Sequence, residues 1–185
     1  MTIYRPEFET ALRVFARASS ALVAQGYEAP VLVGGAAVEI FTVSAIATGD
    51  FDVVTARQEA FEAALRTLGF AKPSGPGMST RGWVHPDLRL SFEVVSSRLL
   101  DGLADRDRVI VLDFGDDGTA AIISVEDMIA DRMGQFASGT APEMRGQARA
   151  MLVLHGDIDR TYLAHRIIEE TAGEYRIEDV DSDSL

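Results

Sequence analysis

The sequence predicts an α/β or α+β domain followed by a helical segment. Three observations carry that expectation. Short β-branched apolar runs alternate with stretches of helical period through the first half of the chain. Several strand candidates then follow one another without a helix between them. From about residue 124 onward, every patterned stretch has helical spacing. A chain of 185 residues suits one domain, or one domain with a small helical appendage. The expected division is an α/β core over 1–123, helices over 124–173 and an acidic, flexible tail over 174–185.

In "PEFETALRVFARASSALVAQG", Phe8, Leu12, Phe15, Leu22 and Val23 recur at helical spacing, and Gly26 is a natural stop. "APVLVGG" reads as a short buried strand running into two glycines. "AAVEIFTVSAI" reads as a helix despite its β-branched residues, and "FDVVT" as a strand. "RQEAFEAALRTLGF" is amphipathic, with Phe61, Leu65 and Leu68 on one stripe. "AKPSGPGMSTRG" has loop composition. "GWVH", "RLSFEVV", "RVIVLDF" and "TAAIIS" are strand candidates, the last two joined by the turn signal "GDDG" into a hairpin. "SVEDMIADRMGQFASG" opens with a capping-box pattern, Ser124 to Asp127, and carries the stripe Val125, Met128, Ile129, Met133 and Phe136. "PEMRGQARAMLVLHG" and "DRTYLAHRIIEETAG" are two further helices.

Composition narrows the function classes. Hydrophobic residues make up 47%, enough for a core. No stretch of membrane-spanning length is free of charges, and the N-terminus lacks the basic-then-apolar order of a signal peptide, so a cytoplasmic protein is expected. There are no cysteines, which excludes disulfides, zinc–thiolate sites and thiol catalysis. The net charge of −12 repels nucleic-acid phosphates and anionic membranes, and Lys72 is the sole lysine. Non-specific nucleic-acid binding and membrane binding are therefore not expected; a specific site for one RNA end stays open.

"TGDFDVV" places Asp50 and Asp52 inside an apolar run. Strand side chains alternate faces, so both carboxylates share one face at a separation of roughly 6–7 Å. Two unpaired carboxylates at that distance repel, and a divalent cation removes the penalty. Oxygen ligands of this kind suit Mg²⁺. The alternative is a strand end with surface aspartates. "VLVGG" feeds a helix whose first backbone N–H groups favour phosphate, with Gly34 and Gly35 letting an anion approach closely; a tight strand–helix turn is the alternative. No Gly-Lys-Ser/Thr follows and no third glycine is suitably placed, so this is neither a P-loop nor a dinucleotide fingerprint. Glu93 stands amid Phe92, Val94 and Val95. If its strand lies beside "GDFDVV", it completes a triad with the aspartates; otherwise it is a solvent-facing position. Gly49 offers an irregular backbone that would aim Asp50.

A strand ending in Gly-Gly, a helix, D-x-D on the next strand and a lone acid on a later one resemble the nucleotidyltransferase superfamily. The likeness is to its small bacterial and archaeal members, including those of toxin–antitoxin systems. "ISVEDMIADRMGQF" adds to it, as a segment of this kind often opens their C-terminal helices. The resemblance runs from about Val31 to about Ile168. It implies a mixed sheet flanked by helices, with a C-terminal helical segment. It also implies that Gly34 and Gly35 line the triphosphate site, that Asp50 and Asp52 hold two Mg²⁺ ions, and that Glu93 holds one of them and helps activate an attacking hydroxyl. A nucleoside monophosphate would pass from an NTP to a protein, small-molecule or RNA-end acceptor, releasing pyrophosphate. The chain departs from the family at Gly35, where serine is frequent, and in the missing basic residue before Asp50. Arg132 stands where the first C-terminal helix often has lysine. Phosphate neutralisation falls to Arg57, Arg81 or Arg132.

The same features accommodate a non-catalytic nucleotidyltransferase-like module that binds a protein partner, or one half of a toxin–antitoxin pair. A phosphohydrolase leaves the Gly-Gly entry without a part. "DFGDDG" lacks the Gly-rich loop and lysine of a kinase and reads as a turn. His85, His155 and His165 have no metal-ligand spacing, Trp83 reads as core, and no G-x-S-x-G occurs.

Overall fold

The computed structural model describes residues 3–73, 82–88 and 90–181. The predicted loop 71–82 lies mostly outside these, as does Arg81. The described residues form seven α-helices and a six-stranded mixed sheet of order β3-β4-β2-β1-β6-β5. In chain order these are α1 (Pro6–Val23), β1 (Val31–Val33), α2 (Gly34–Phe41), β2 (Asp50–Val54), α3 (Gln58–Thr67), β3 (Trp83–Val84), β4 (Ser91–Ser96), β5 (Ile110–Asp113), β6 (Thr119–Ile122), α4 (Val125–Ala137), α5 (Met144–Leu154), α6 (Arg160–Glu170) and α7 (Ile177–Asp181).

One face of the sheet is closed by aromatic packing. Phe51 on β2 and Phe92 on β4 point the same way, with ring centroids 4.8 Å apart. Phe8 from α1 meets Phe51 at 5.1 Å, while Phe15 spans from Phe92 to Phe61 of α3. All five phenylalanines are fully buried. Side-chain alternation then sends Asp50, Asp52 and Val54 to the opposite face, where α4 lies across from them.

Helix α2 is shorter than its sequence predicts. It ends at Phe41, and Val43 and Ser44 take left-handed φ values of 51° and 61°. Thr42 and Val43 are β-branched and disfavour continuation. Ser44 instead donates its N–H back to the Glu39 carbonyl at 2.9 Å. The "GDDG" hairpin forms as expected, β5 pairing antiparallel with β6 around a 3-10 turn at Gly115–Asp117. Ser124 caps α4, accepting from the Asp127 N–H at 3.0 Å. The tail is ordered further than its acidic composition suggests: α7 buries Val180 completely. Among the described residues no helix is long and apolar enough to cross a membrane.

Candidate active site

Register decides which acids meet. β2 and β4 run parallel, pairing Asp50 with Ser91 and Asp52 with Glu93. Paired residues of a parallel ladder project from the same face, so the three predicted acids share one. α3 lies in the connection that lets these two strands run parallel. On the other side β1 pairs antiparallel with β2, setting Val33 opposite Asp52 and bringing Gly34 and Gly35 beside its carboxylate.

The two glycines are used for close approach. Gly34 has φ +60°, and a Cβ there would collide with Asp52 Oδ2. A Cβ at Gly35 would collide with Thr48 Oγ1. Thr48 thus fills the space that a serine at position 35 would need, which accounts for glycine there. Gly49 is different. It has no left-handed φ, and a Cβ on it meets nothing within 4 Å. The idea that Gly49 aims Asp50 through an irregular backbone is therefore not supported.

Asp52 carries the clearest electrostatic signature. Burial lifts its pKa above the ordinary carboxylate value, and the neighbouring charges of Asp50 and Glu93 lift it further. Arg132 and a hydrogen bond from the Gly35 backbone N–H act in the opposite direction. Asp50 is exposed and accepts a hydrogen bond from Ser91 Oγ.

A cavity of about 350 Å³ opens between this face and α4. Gly34, Asp52 and Arg132 line it, whereas Asp50, Glu93 and Gly35 flank it without entering its lining. Arg132 is 5% exposed, and its Nε has no hydrogen-bond partner. Its Nη1 holds Asp131 Oδ2 at 3.0 Å. Burial lowers the Arg132 pKa, opposed by Asp131 and Asp52. A buried guanidinium in the cavity lining, with one donor left unpartnered, suits an anionic oxygen. Val54, Val95, Leu100 and Met128 give the cavity an apolar wall, and Arg98 stands at its rim.

The donor chemistry, three carboxylates on one face with Asp52 destabilised by the other two, fits a hard divalent cation. As the side chains stand, however, no three His, Cys, Asp or Glu groups among the described residues gather closely enough to hold an ion. Their present partners explain this: Asp50 is engaged by Ser91, and Asp52 is turned toward the start of α2. The expected triad shares a face but is not a closed metal cluster.

The candidate Arg57 and the histidines set aside above fall outside this site. Arg57 stacks over Tyr27 at 4.9 Å, at the opposite ends of the strands. His155 bonds the Phe41 carbonyl at 2.8 Å, His165 pairs with Glu169, and His85 packs on Phe70. Three contributors were not anticipated. Arg98 follows β4 without any sequence signal. Thr48 becomes visible only once Gly35 is placed. Glu39 did carry a signal, as a lone acid in the apolar run "AAVEIF".

No family model matches the chain, and no curated protein matches it. A solved structure does. It is an antigenic nucleotidyltransferase-like protein from Paracoccidioides brasiliensis, with a TM-score of 0.60 at 13% identity, covering 96% of this chain and 98% of that one. At that identity the likeness is one of fold. The architecture is nucleotidyltransferase-like.

Proposed function

We propose that the protein is a Mg²⁺-dependent nucleotidyltransferase that moves a nucleoside monophosphate from an NTP to an acceptor hydroxyl. The single observation that carries the reading is the β2–β4 register, which sets Asp50, Asp52 and Glu93 on one face beside Gly34 and Gly35. The orphan Nε of Arg132 supports it from the facing helix. Asp50, Asp52 and Glu93 would hold the cations, which when bound polarise the transferred phosphoryl group and neutralise its charge. Arg132 and Arg98 bind phosphate oxygens, and the apolar wall of Val54, Val95 and Leu100 takes the less polar part of the nucleotide. The acceptor oxygen forms a bond to the α-phosphorus, the bond from that phosphorus to the bridging oxygen breaks, and pyrophosphate departs. Glu93 takes the hydroxyl proton.

The test is label transfer from an α-³²P-NTP with Mg²⁺ to candidate protein, small-molecule and RNA acceptors. The wild type should label one of them. Asp50→Ala/Asp52→Ala should reduce labelling at least about 100-fold, as expected for groups that hold the metal itself. Equal labelling by both proteins overturns the reading. A non-catalytic module is the second reading, in which the same face binds a ligand or a protein partner, as in a toxin–antitoxin pair. The tied-down aspartates favour it. Calorimetry without Mg²⁺-dependent NTP binding would select it.

A further inference from the structure

Arg5 and Glu39 lie outside the cavity, yet they hold the segment that delivers the acidic strand. Glu39 projects from α2 and is fully buried. Its carboxylate accepts four hydrogen bonds: from Arg5 Nε at 2.6 Å, Arg5 Nη2 at 3.0 Å, Ser44 Oγ at 2.9 Å and the Thr48 N–H at 2.6 Å. Arg5 Nη2 also donates to the Thr48 carbonyl. The ion pair thus grips both sides of one residue, its N–H directly and its C=O through the guanidinium. Bonding to Glu39 raises the pKa of Arg5.

Thr48 is the residue that matters for the site. Its hydroxyl donates to the Asp50 carbonyl at 3.1 Å and accepts from the Asp50 N–H at 3.4 Å. The same hydroxyl fills the space beside Gly35 at the start of α2. The backbone between α2 and Thr48 is costly, because Val43 and Ser44 are non-glycine residues in left-handed conformations. A free chain would relax from that path. Glu39 anchors Ser44 at one end of it and Thr48 at the other.

We propose that Arg5 and Glu39 are positioning residues, a buried clasp that fixes where Asp50 and Asp52 stand relative to the N-terminus of α2. The proposal rests on the reading of that face as a nucleotide site. The clasp touches no reacting atom and acts through Thr48. Gln at position 39 cannot replace the carboxylate, because its amide brings one acceptor oxygen and an NH₂ that opposes the donors of Arg5, Ser44 and Thr48. Arg5 is the more accessible target, since its side chain is 31% exposed; its guanidinium also lies 5.7 Å from the Phe8 ring centroid, so folding of each variant is verified first.

The test compares wild type, Arg5→Met, Arg5→Lys and Glu39→Gln, each checked by circular dichroism. Hydrogen exchange is followed over 48–52 and, as an internal control, over α6. Mg²⁺–NTP affinity is measured by calorimetry at a temperature where each variant is folded. Arg5→Met should speed exchange over 48–52 and leave α6 unchanged, and it should weaken Mg²⁺–NTP binding about tenfold, the scale of a residue that orients a ligating group. Arg5→Lys, keeping charge but losing the fork that spans Glu39 and Thr48, should recover only part of the affinity. A folded Arg5→Met that binds as the wild type does, or that loosens 48–52 without changing affinity, overturns the proposal and leaves the nucleotide site standing. A wild type that binds no Mg²⁺–NTP removes the reading of the site and the proposal with it.

Discussion

The buried charges along α4 fall into two neighbourhoods built to different standards. Toward α6, Asp127 accepts from Ser124 Oγ at 2.7 Å, from Tyr162 Oη at 3.0 Å and from Arg166 Nε at 2.7 Å. Arg166 spends its remaining donors on Glu169 and Glu170. Burial works against its charge, but its three carboxylates outweigh that and raise its pKa. Toward β2, one turn further along the helix, Arg132 keeps an unpartnered Nε, and both Asp52 and Asp131 are pushed above the ordinary carboxylate range by burial. The first neighbourhood is complete within the chain, the second is not. A satisfied buried network holds helices together, and an unsatisfied one facing a cavity stands ready for a ligand.

The same substitution applied to both sides is the sharpest way to break this contrast. Arg166→Met strips a fully buried Asp127 of its ion-pair partner, and removing one half of such a pair costs about 3–5 kcal/mol. Urea denaturation should show that loss, while NTP affinity of the folded variant stays at the wild-type level. Arg132→Met should behave in the opposite way. Its stability should fall less than that of Arg166→Met, because Asp131 keeps its bond from Gln135 and, with its side chain 18% exposed, is less buried than Asp127. Its affinity for Mg²⁺–NTP should fall about tenfold, the equivalent of one charge-assisted hydrogen bond of about 1.4 kcal/mol. If both variants lose stability equally and neither changes affinity, the two neighbourhoods are of one kind.

How much of this was legible beforehand depended on whether the information was local. The D-x-D pair, the Gly-Gly corner, the Ser124 cap and the β5–β6 hairpin all depend on residues near one another in sequence, and the chain's pattern shows them. The placement of Glu93 depends on β4 passing over β3 and α3 to lie beside β2, a parallel pairing that no local pattern specifies. Its position could only be stated conditionally. Arg5 reaches Glu39 across 34 residues, and nothing in its sequence neighbourhood marks it. The predicted extent of α2 failed because periodicity runs on through Ile46, whereas the backbone leaves the helix to bond with Glu39. The metal site is a different case. Sequence can place carboxylates on one face, but not say which hydrogen bonds will claim them first.

The smallest effect probes the β2 side of α4 by pH. Asp52 has a folded-state pKa above that of the unfolded chain, so between those two values the folded state binds more protons. Stability contributed at this site is present below the unfolded carboxylate pKa, about 3.9, and is lost as pH rises from there through the folded value. Asp131 and Glu170 are shifted the same way and tilt the curve together with it. The diagnostic is therefore a difference. Asp52→Asn keeps an oxygen for the Gly35 N–H but cannot ionise, so it should match the wild type at low pH and become the more stable protein as pH rises above about 4. Chemical denaturation in the ligand-free state at several pH values measures it. The advantage should shrink when Mg²⁺ is added, because a cation stabilises the ionised wild-type carboxylate and not the amide. A stability difference that is flat in pH would mean that Asp52 feels neither burial nor its acidic neighbours, and the unfinished side of α4 would then be no more poised for a cation than the finished one.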